Sequence, residues 1–306
     1  MHFNEDSRVK IPSIIHLTRL GYEYISLKNN SFDLSTNIFT KVFKSSVGKI
    51  NPELSDSELD KLIDKISLTL ENEDLGKAFY EMLTSKSGIR LIDFENFDNN
   101  DFKVVTELPC KKDDEEFRPD ITLLINGMPL VFIEVKKPNN LEGIQAEHKR
   151  IRQRFENKKF RKFINITQFM VFTNNMEYDD GALTPIQGAF YSSTAYGETQ
   201  FNYFREEEEL DLQSILTPEN EDVEIEILKD TNLLSIRNSP EFNTNKDVNT
   251  PTNRLSTSLF SKNRLSFILQ YAIAFVKRSE GIQKHVMRYP QIFATKAIEQ
   301  KIKEGI

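Results

Sequence analysis

Apolar residues recur every three to four positions over several stretches of the chain and every second position over one, and the change of period marks out the elements. In Ile11–Ile25 a helical pattern is broken at Gly21, which predicts a helix, a glycine stop and the start of a strand. From Ser55 to Leu70 a capping residue and an acidic first turn precede Leu59, Leu62, Ile63, Ile66 and Leu70 at helical spacing. A further helix is expected over Leu75–Thr84, with strands over Ile89–Phe94 and Val104–Leu108.

Period two is clearest in RPDITLLINGMPLVFIEVKKPNN. Two apolar runs, Ile121–Ile125 and Leu130–Val135, flank Asn126-Gly127, a pair suited to a tight hairpin turn. Ile121, Leu123, Ile125, Val131, Ile133 and Val135 share one parity, so that face is expected beneath helices. Glu134 and Lys136 point the other way. A plain two-residue turn would pair Asp120 with Ile133, on the wrong face, so a three-residue loop or a bulge is predicted unless the chain curls at Pro119.

After Pro138 a helix should run from Leu141 or Gly143 to Asn157 with Ile144, Ile151 and Phe155 inward, and Ile164–Thr173 reads as a strand. The aromatic stretch Gly188–Phe204 reads as a substructure at the site edge, and Leu210–Leu216 as a helix opened by Glu206–Glu209. Polar, turn-rich residues 233–258 read as a linker; beyond them Arg264–Lys277 and Pro290–Lys303 read as helices. The expected fold is α/β, a mixed central sheet flanked by helices, with one domain over 1–232 and a helical segment over 259–306.

Composition narrows the chemistry. A single cysteine, Cys110, excludes a disulfide framework and any multi-cysteine zinc site and fits a reducing, cytoplasmic setting. No apolar run is long enough to span a membrane. A net charge of −7 means that nucleic acid must be met by a local patch. One candidate is the run from Lys149 to Lys162, with eight lysines and arginines against Glu156; Lys149, Arg150, Arg152, Arg154, Lys158 and Lys159 are its candidate phosphate contacts, and an ordinary solvated helix face is the plainer alternative.

Asp120 and Glu134, with the Val135 carbonyl, make a hard oxygen set suited to Mg²⁺, and Lys136 can hold the attacking water of a phosphodiester hydrolysis. To act as a base, that lysine would need a lowered pKa. His16 and His285 read as packing or surface residues, and there is no glycine-rich phosphate loop.

The stretches LTRLGYEYI, RPDITLLINGMPLVFIEVKKPNN and RYPQIFATKAI together resemble the N-terminal part of the restriction (R) subunit of type I restriction enzymes. The resemblance covers essentially the whole chain. It implies a restriction-endonuclease-like PD-(D/E)xK domain ahead of an ATP-driven motor, assembling with methylation and specificity subunits on double-stranded DNA. It also implies that Asp120 and Glu134 bind metal, that Lys136 is the catalytic lysine, and that Gln291 contacts adenine in a full-length protein. The family's Gln-x-x-x-Tyr element would start at Gln153, an auxiliary candidate, but Asn157 stands where Tyr is expected. An additional acid on an early helix is implied too, with Glu58 and Glu81 as candidates. The chain ends before any phosphate loop, so a fragment lacking the motor, without firm ATP binding, is expected. The alternative function is a non-cleaving module that guides DNA or docks subunits.

Overall fold

The computed structural model describes residues 5–138, 143–178, 188–279 and 281–305. A short π-helical turn, Asp6–Lys10, runs into α1 (Ile11–Arg19), which ends at Gly21 with a φ of 94° before β1 (Glu23–Tyr24). Helices α2 (Thr40–Ile50), α3 (Asp56–Thr69) and α4 (Lys77–Leu83) follow. A capping box opens α3, in which Ser55 and Glu58 satisfy each other's backbone N–H groups.

Then come β2 (Phe102–Thr106), a small hairpin of β3 (Cys110–Lys112) and β4 (Glu115–Phe117), and the central hairpin of β5 (Ile121–Ile125) and β6 (Met128–Val135). Helices α5 (Gly143–Glu156) and α6 (Arg161–Ile166) cross over to β7 (Phe169–Thr173), followed by β8 (Ala189–Ser193) and β9 (Asn202–Tyr203). The seven-stranded sheet has the order β1-β2-β5-β6-β7-β8-β9. It is mixed: β1 with β2 and β6 with β7 are parallel, and the other pairs antiparallel.

Both faces are covered, as the expected fold class requires. One face carries Ile121, Leu123, Val131, Ile133 and Val135 into the main core with α1, α2 and α3. On the other, Phe132 and Met170 pack against Ile151 and Phe155 of α5, and Phe172 against Ile144. The inward stripe of α5 is therefore the one its spacing predicts.

Five local expectations are corrected. Ile89–Phe94 is not a strand: Asp93 accepts hydrogen bonds from the Glu95 and Asn96 N–H groups and Asn100 ties it further, so side chains rather than a ladder satisfy this backbone. The first part of Ile164–Thr173 belongs to α6; only β7 is extended. The helix expected over Leu210–Leu216 shrinks to α7 (Leu212–Ile215), ahead of α8 (Glu221–Asp230).

The stretch read as a linker contains α9 (Pro240–Asn245) and most of α10 (Pro251–Phe260). Its Ser-Pro and Thr-Pro pairs are helix starts with proline in the first turn. Its buried polar residues are partnered: Thr257 with His16 and Thr252 with Thr173. Leu255, Leu259 and Phe260 join the main core.

The helix expected over Arg264–Lys277 ends early: α11 spans Lys262–Tyr271, and the β-branched and aromatic residues after it form β10 (Ile273–Arg278), paired with β11 (Gly281–Val286). The last helix, α12, spans Tyr289–Lys303. Among the described residues no helix is long and apolar enough to cross a membrane.

Candidate active site at the end of the central hairpin

One extra residue decides the site. Asn126 and Gly127 both have positive φ, 50° and 76°, as a two-residue hairpin turn of this hand requires. The turn is buried: Asn126 donates to the Leu91 carbonyl and Asn100 Oδ1 at 2.8 Å each and accepts from the Asp101 N–H at 2.8 Å. A Cβ on Gly127 would lie 2.7 Å from the Phe39 carbonyl oxygen. The register begins with Ile125 opposite Met128 and Leu124 opposite Pro129, then Leu123 faces Val131. Leu130 is therefore a bulge, and Ile121 pairs with Ile133, so the ladder carried one step further sets Asp120 opposite Glu134. The odd residue expected from parity is present, inside the strand rather than in the turn.

Asp120 accepts from the Val135 N–H at 2.8 Å, and the Lys136 ammonium lies 3.6 Å from the same Asp120 Oδ2. Lys136 also donates to the Val135 carbonyl at 2.7 Å, so the expected third oxygen ligand is held by the lysine. Glu134 is buried and accepts from Arg154 at 2.8 Å.

Two acids outside the expected set complete the cluster. Glu5, just ahead of the π-helical turn, lies 3.6 Å from the Lys136 ammonium. Glu147 of α5, 1% exposed, lies 3.9 Å from it. A signal for Glu147 was present, since it falls between Ile144 and Ile151 on the inward stripe, where an acid is out of place. Glu5 had none. Glu58 is exposed and caps its own helix, and Glu81 is exposed and pairs with Lys77.

Burial pushes the Glu134 carboxyl well above its ordinary range, and the charges of Asp120 and Glu147 add to this against Arg154 and Lys136. Glu5 is raised as well, by burial against the pull of Lys136. Burial alone would lower the Lys136 pKa, but Asp120, Glu5, Glu134 and Glu147 outweigh it and the net shift is upward. The lysine is thus an ammonium at neutral pH, the opposite of what a base requires.

Among the described residues no group of three or more acid, histidine or cysteine side chains is arranged to hold a metal as it stands. The chemistry of the donors nevertheless fits a hard divalent ion. They are all carboxylates, and Glu147 Oε1 is a buried oxygen that receives no hydrogen bond.

The basic run is largely neutralised. Arg150 lies 3.3 Å from Glu147, Arg152 pairs with Glu156 and Glu198, and Lys158 lies 3.8 Å from Glu73. Lys159 pairs with Asp113, Asp114 and Glu115. Lys149 and Gln153 are exposed on the far side of α5. Asn157, where Tyr was expected, caps the turn that follows by accepting from the Lys159 N–H at 3.0 Å. Gln291 is exposed, and its side chain accepts from the Arg288 N–H at 2.9 Å.

His16 is a packing residue, 1% exposed and 2.7 Å from Thr257 Oγ1. His285 is half-buried in β11. Cys110 is free and buried, and burial pushes its thiol up.

The mixed sheet with helices on both faces makes this an α/β protein with polar groups gathered at the end of a central hairpin. Residues 2–184 match the family described as the type I restriction enzyme R protein N terminus, and the chain belongs to that family. It is 31% identical over 147 residues to the type I restriction enzyme HindI endonuclease subunit of Haemophilus influenzae, an alignment covering 40% of this chain and 14% of that protein. To the Methanocaldococcus jannaschii protein designated MjaIXP endonuclease subunit it is 30% identical over 162 residues, 45% of this chain and 16% of the relative. With the SauCOLORF180P endonuclease subunit of Staphylococcus aureus the figures are 29% over 136 residues, 40% and 14%. The chain thus spans only a small part of the length of these relatives.

Proposed function

We propose that this chain is the metal-dependent endonuclease domain of a type I restriction enzyme R subunit, hydrolysing phosphodiester bonds of double-stranded DNA in the cytoplasm. The observation that carries the reading is the bulge at Leu130, which turns Asp120 to the side of Glu134 and Lys136. Asp120 and Glu134, with the Val135 carbonyl once Lys136 leaves it, would hold Mg²⁺. Bound there, a divalent ion makes a water nucleophilic near neutral pH and offsets charge on the attacked phosphate.

The chain's own groups have definite parts. Asp120 is oriented by the Val135 N–H, and Glu134 is buried and oriented by Arg154. Lys136, kept as an ammonium by the surrounding acids, donates hydrogen bonds to a phosphate oxygen or to the attacking water rather than removing a proton. Arg154 must leave Glu134 before an ion can share that oxygen, since two positive centres on one carboxylate repel.

On this reading target recognition and methylation belong to partner subunits. Residues 259–306 lead toward a motor in which Gln291 contacts adenine, and ATP is required only there. The paired cations Arg150, Arg152, Arg154, Lys158 and Lys159 and the exposed Lys149 would contact phosphates, with Gln153 an auxiliary residue beside Lys149 on the far side of α5.

The test is reconstitution of the full-length R subunit with its partners. Asp120→Asn, Glu134→Gln and Lys136→Ala should each reduce cleavage at least a hundredfold while ATP-driven translocation persists. Cleavage at wild-type rates in any two of them would overturn the proposal and favour the DNA-guiding module, a reading supported by the Arg154–Glu134 bond that already satisfies the acid.

A further inference from the structure

Glu147 is chemically odd for its position. It lies on the apolar stripe of α5, two turns before Arg154, at 1% exposure. Its Oε2 lies 3.3 Å from Arg150 and 3.9 Å from Lys136, while Oε1 is buried and receives no hydrogen bond.

A buried acid that serves only as a counter-ion looks different in this same molecule. Glu224 accepts from Arg237 at 2.8 Å through one oxygen and from Lys246 at 2.6 Å through the other, and the bonds from Lys246 and Arg237 hold its pKa down despite burial. Glu147 leaves one oxygen to nothing but Arg154 Nη1, 3.7 Å away. That same nitrogen sits 2.8 Å from Glu134 Oε1, so a positive centre already stands between the two carboxylates.

We infer that Glu147 is a third carboxylate that would hold the divalent cation with Asp120 and Glu134, and that the Arg154 guanidinium, between Glu134 and Glu147, competes with that cation for them. This rests on the nuclease reading above and extends it: the site draws on α5 as well as on the hairpin. With an ion held there, Arg154 would give up Glu134, and its guanidinium, which lies 5.2 Å from the Phe117 ring centroid, would be free to turn toward solvent or a phosphate. Glu147 Oε1, which receives no hydrogen bond, would then be one of the oxygens that hold the cation.

The test is calorimetric titration of this chain with Mn²⁺, with thermal melts to confirm folding. Glu147→Gln should weaken Mn²⁺ binding at least tenfold, and Arg154→Gln should strengthen it severalfold by removing the competing charge. If Glu147→Gln does not fold, Glu147→Asp, which draws the carboxylate back, should show the same weakening. Wild-type affinity in the folded Glu147 variant, with binding lost in Glu134→Gln, overturns this inference and leaves the nuclease reading standing. Absence of Mn²⁺ binding by the wild-type chain at millimolar concentration overturns both.

Discussion

The β5–β6 hairpin and the basic run 149–162 lie against each other and are built in opposite ways. In the hairpin the polar groups are buried or half-buried and most are held by hydrogen bonds to backbone: Asn126 by the Leu91 carbonyl and the Asp101 N–H as well as by Asn100 Oδ1, and Asp120 by the Val135 N–H. In the basic run the charges are mostly exposed and held by acids remote in sequence, such as Glu73, Glu198 and Asp113–Glu115. Buried groups of this kind are costly to disturb and fix geometry, whereas exposed pairs contribute little to stability and exchange readily for other anions, phosphate among them.

The contrast breaks first at the turn. Asn126→Ala removes buried hydrogen bonds and puts a Cβ-only residue at positive φ, and should cost about 3–5 kcal/mol in urea unfolding. A loss below about 1 kcal/mol would mean that the turn does not hold the register.

Next in size are two buried groups whose pKa is depressed. His16 is lowered from 6.5 to about 3, chiefly by burial, so below pH 6.5 the unfolded chain takes up the proton first and stability falls as pH drops toward 3. Lys284 is lowered from 10.5 to about 7 by burial, so stability falls as pH drops from 10.5 to 7. Each should contribute about 1.4 kcal/mol per pH unit inside its window. His16→Gln should flatten the acid limb and Lys284→Met the alkaline one; unchanged slopes would contradict the burial of these groups.

The smallest effects belong to the basic run. Lys159→Ala should leave the unfolding midpoint unchanged, because its partners stay in water. Lys149→Ala, which removes an exposed cation, should lower the salt slope of DNA binding by about one. If Lys159→Ala lowers the unfolding midpoint as Asn126→Ala does, its exposed ion pairs hold the fold as the buried hairpin bonds do and the two regions differ less than described.

What was legible in the sequence follows the same division. Strand parity and the Asn-Gly turn expose the faces of β5 and β6, and the mismatch of Asp120 requires an odd residue that proves to be Leu130. Glu147 could have been found as an acid on an apolar stripe. Glu5 could not, because it reaches Lys136 from the far end of the chain, and neither could the partners of Lys158 and Lys159. Residues 233–258 were opaque for another reason: Ser239-Pro240 and Thr250-Pro251 signal turns and helix starts alike, and the buried polar face of α10 has no apolar period.

The most direct measurement is the anomalous diffraction of a crystal soaked in Mn²⁺. The account predicts a peak with carboxylate oxygens of Asp120 and Glu134 within about 2.0–2.6 Å and Arg154 moved off Glu134. No peak at millimolar Mn²⁺, with the Arg154–Glu134 bond intact, would contradict it.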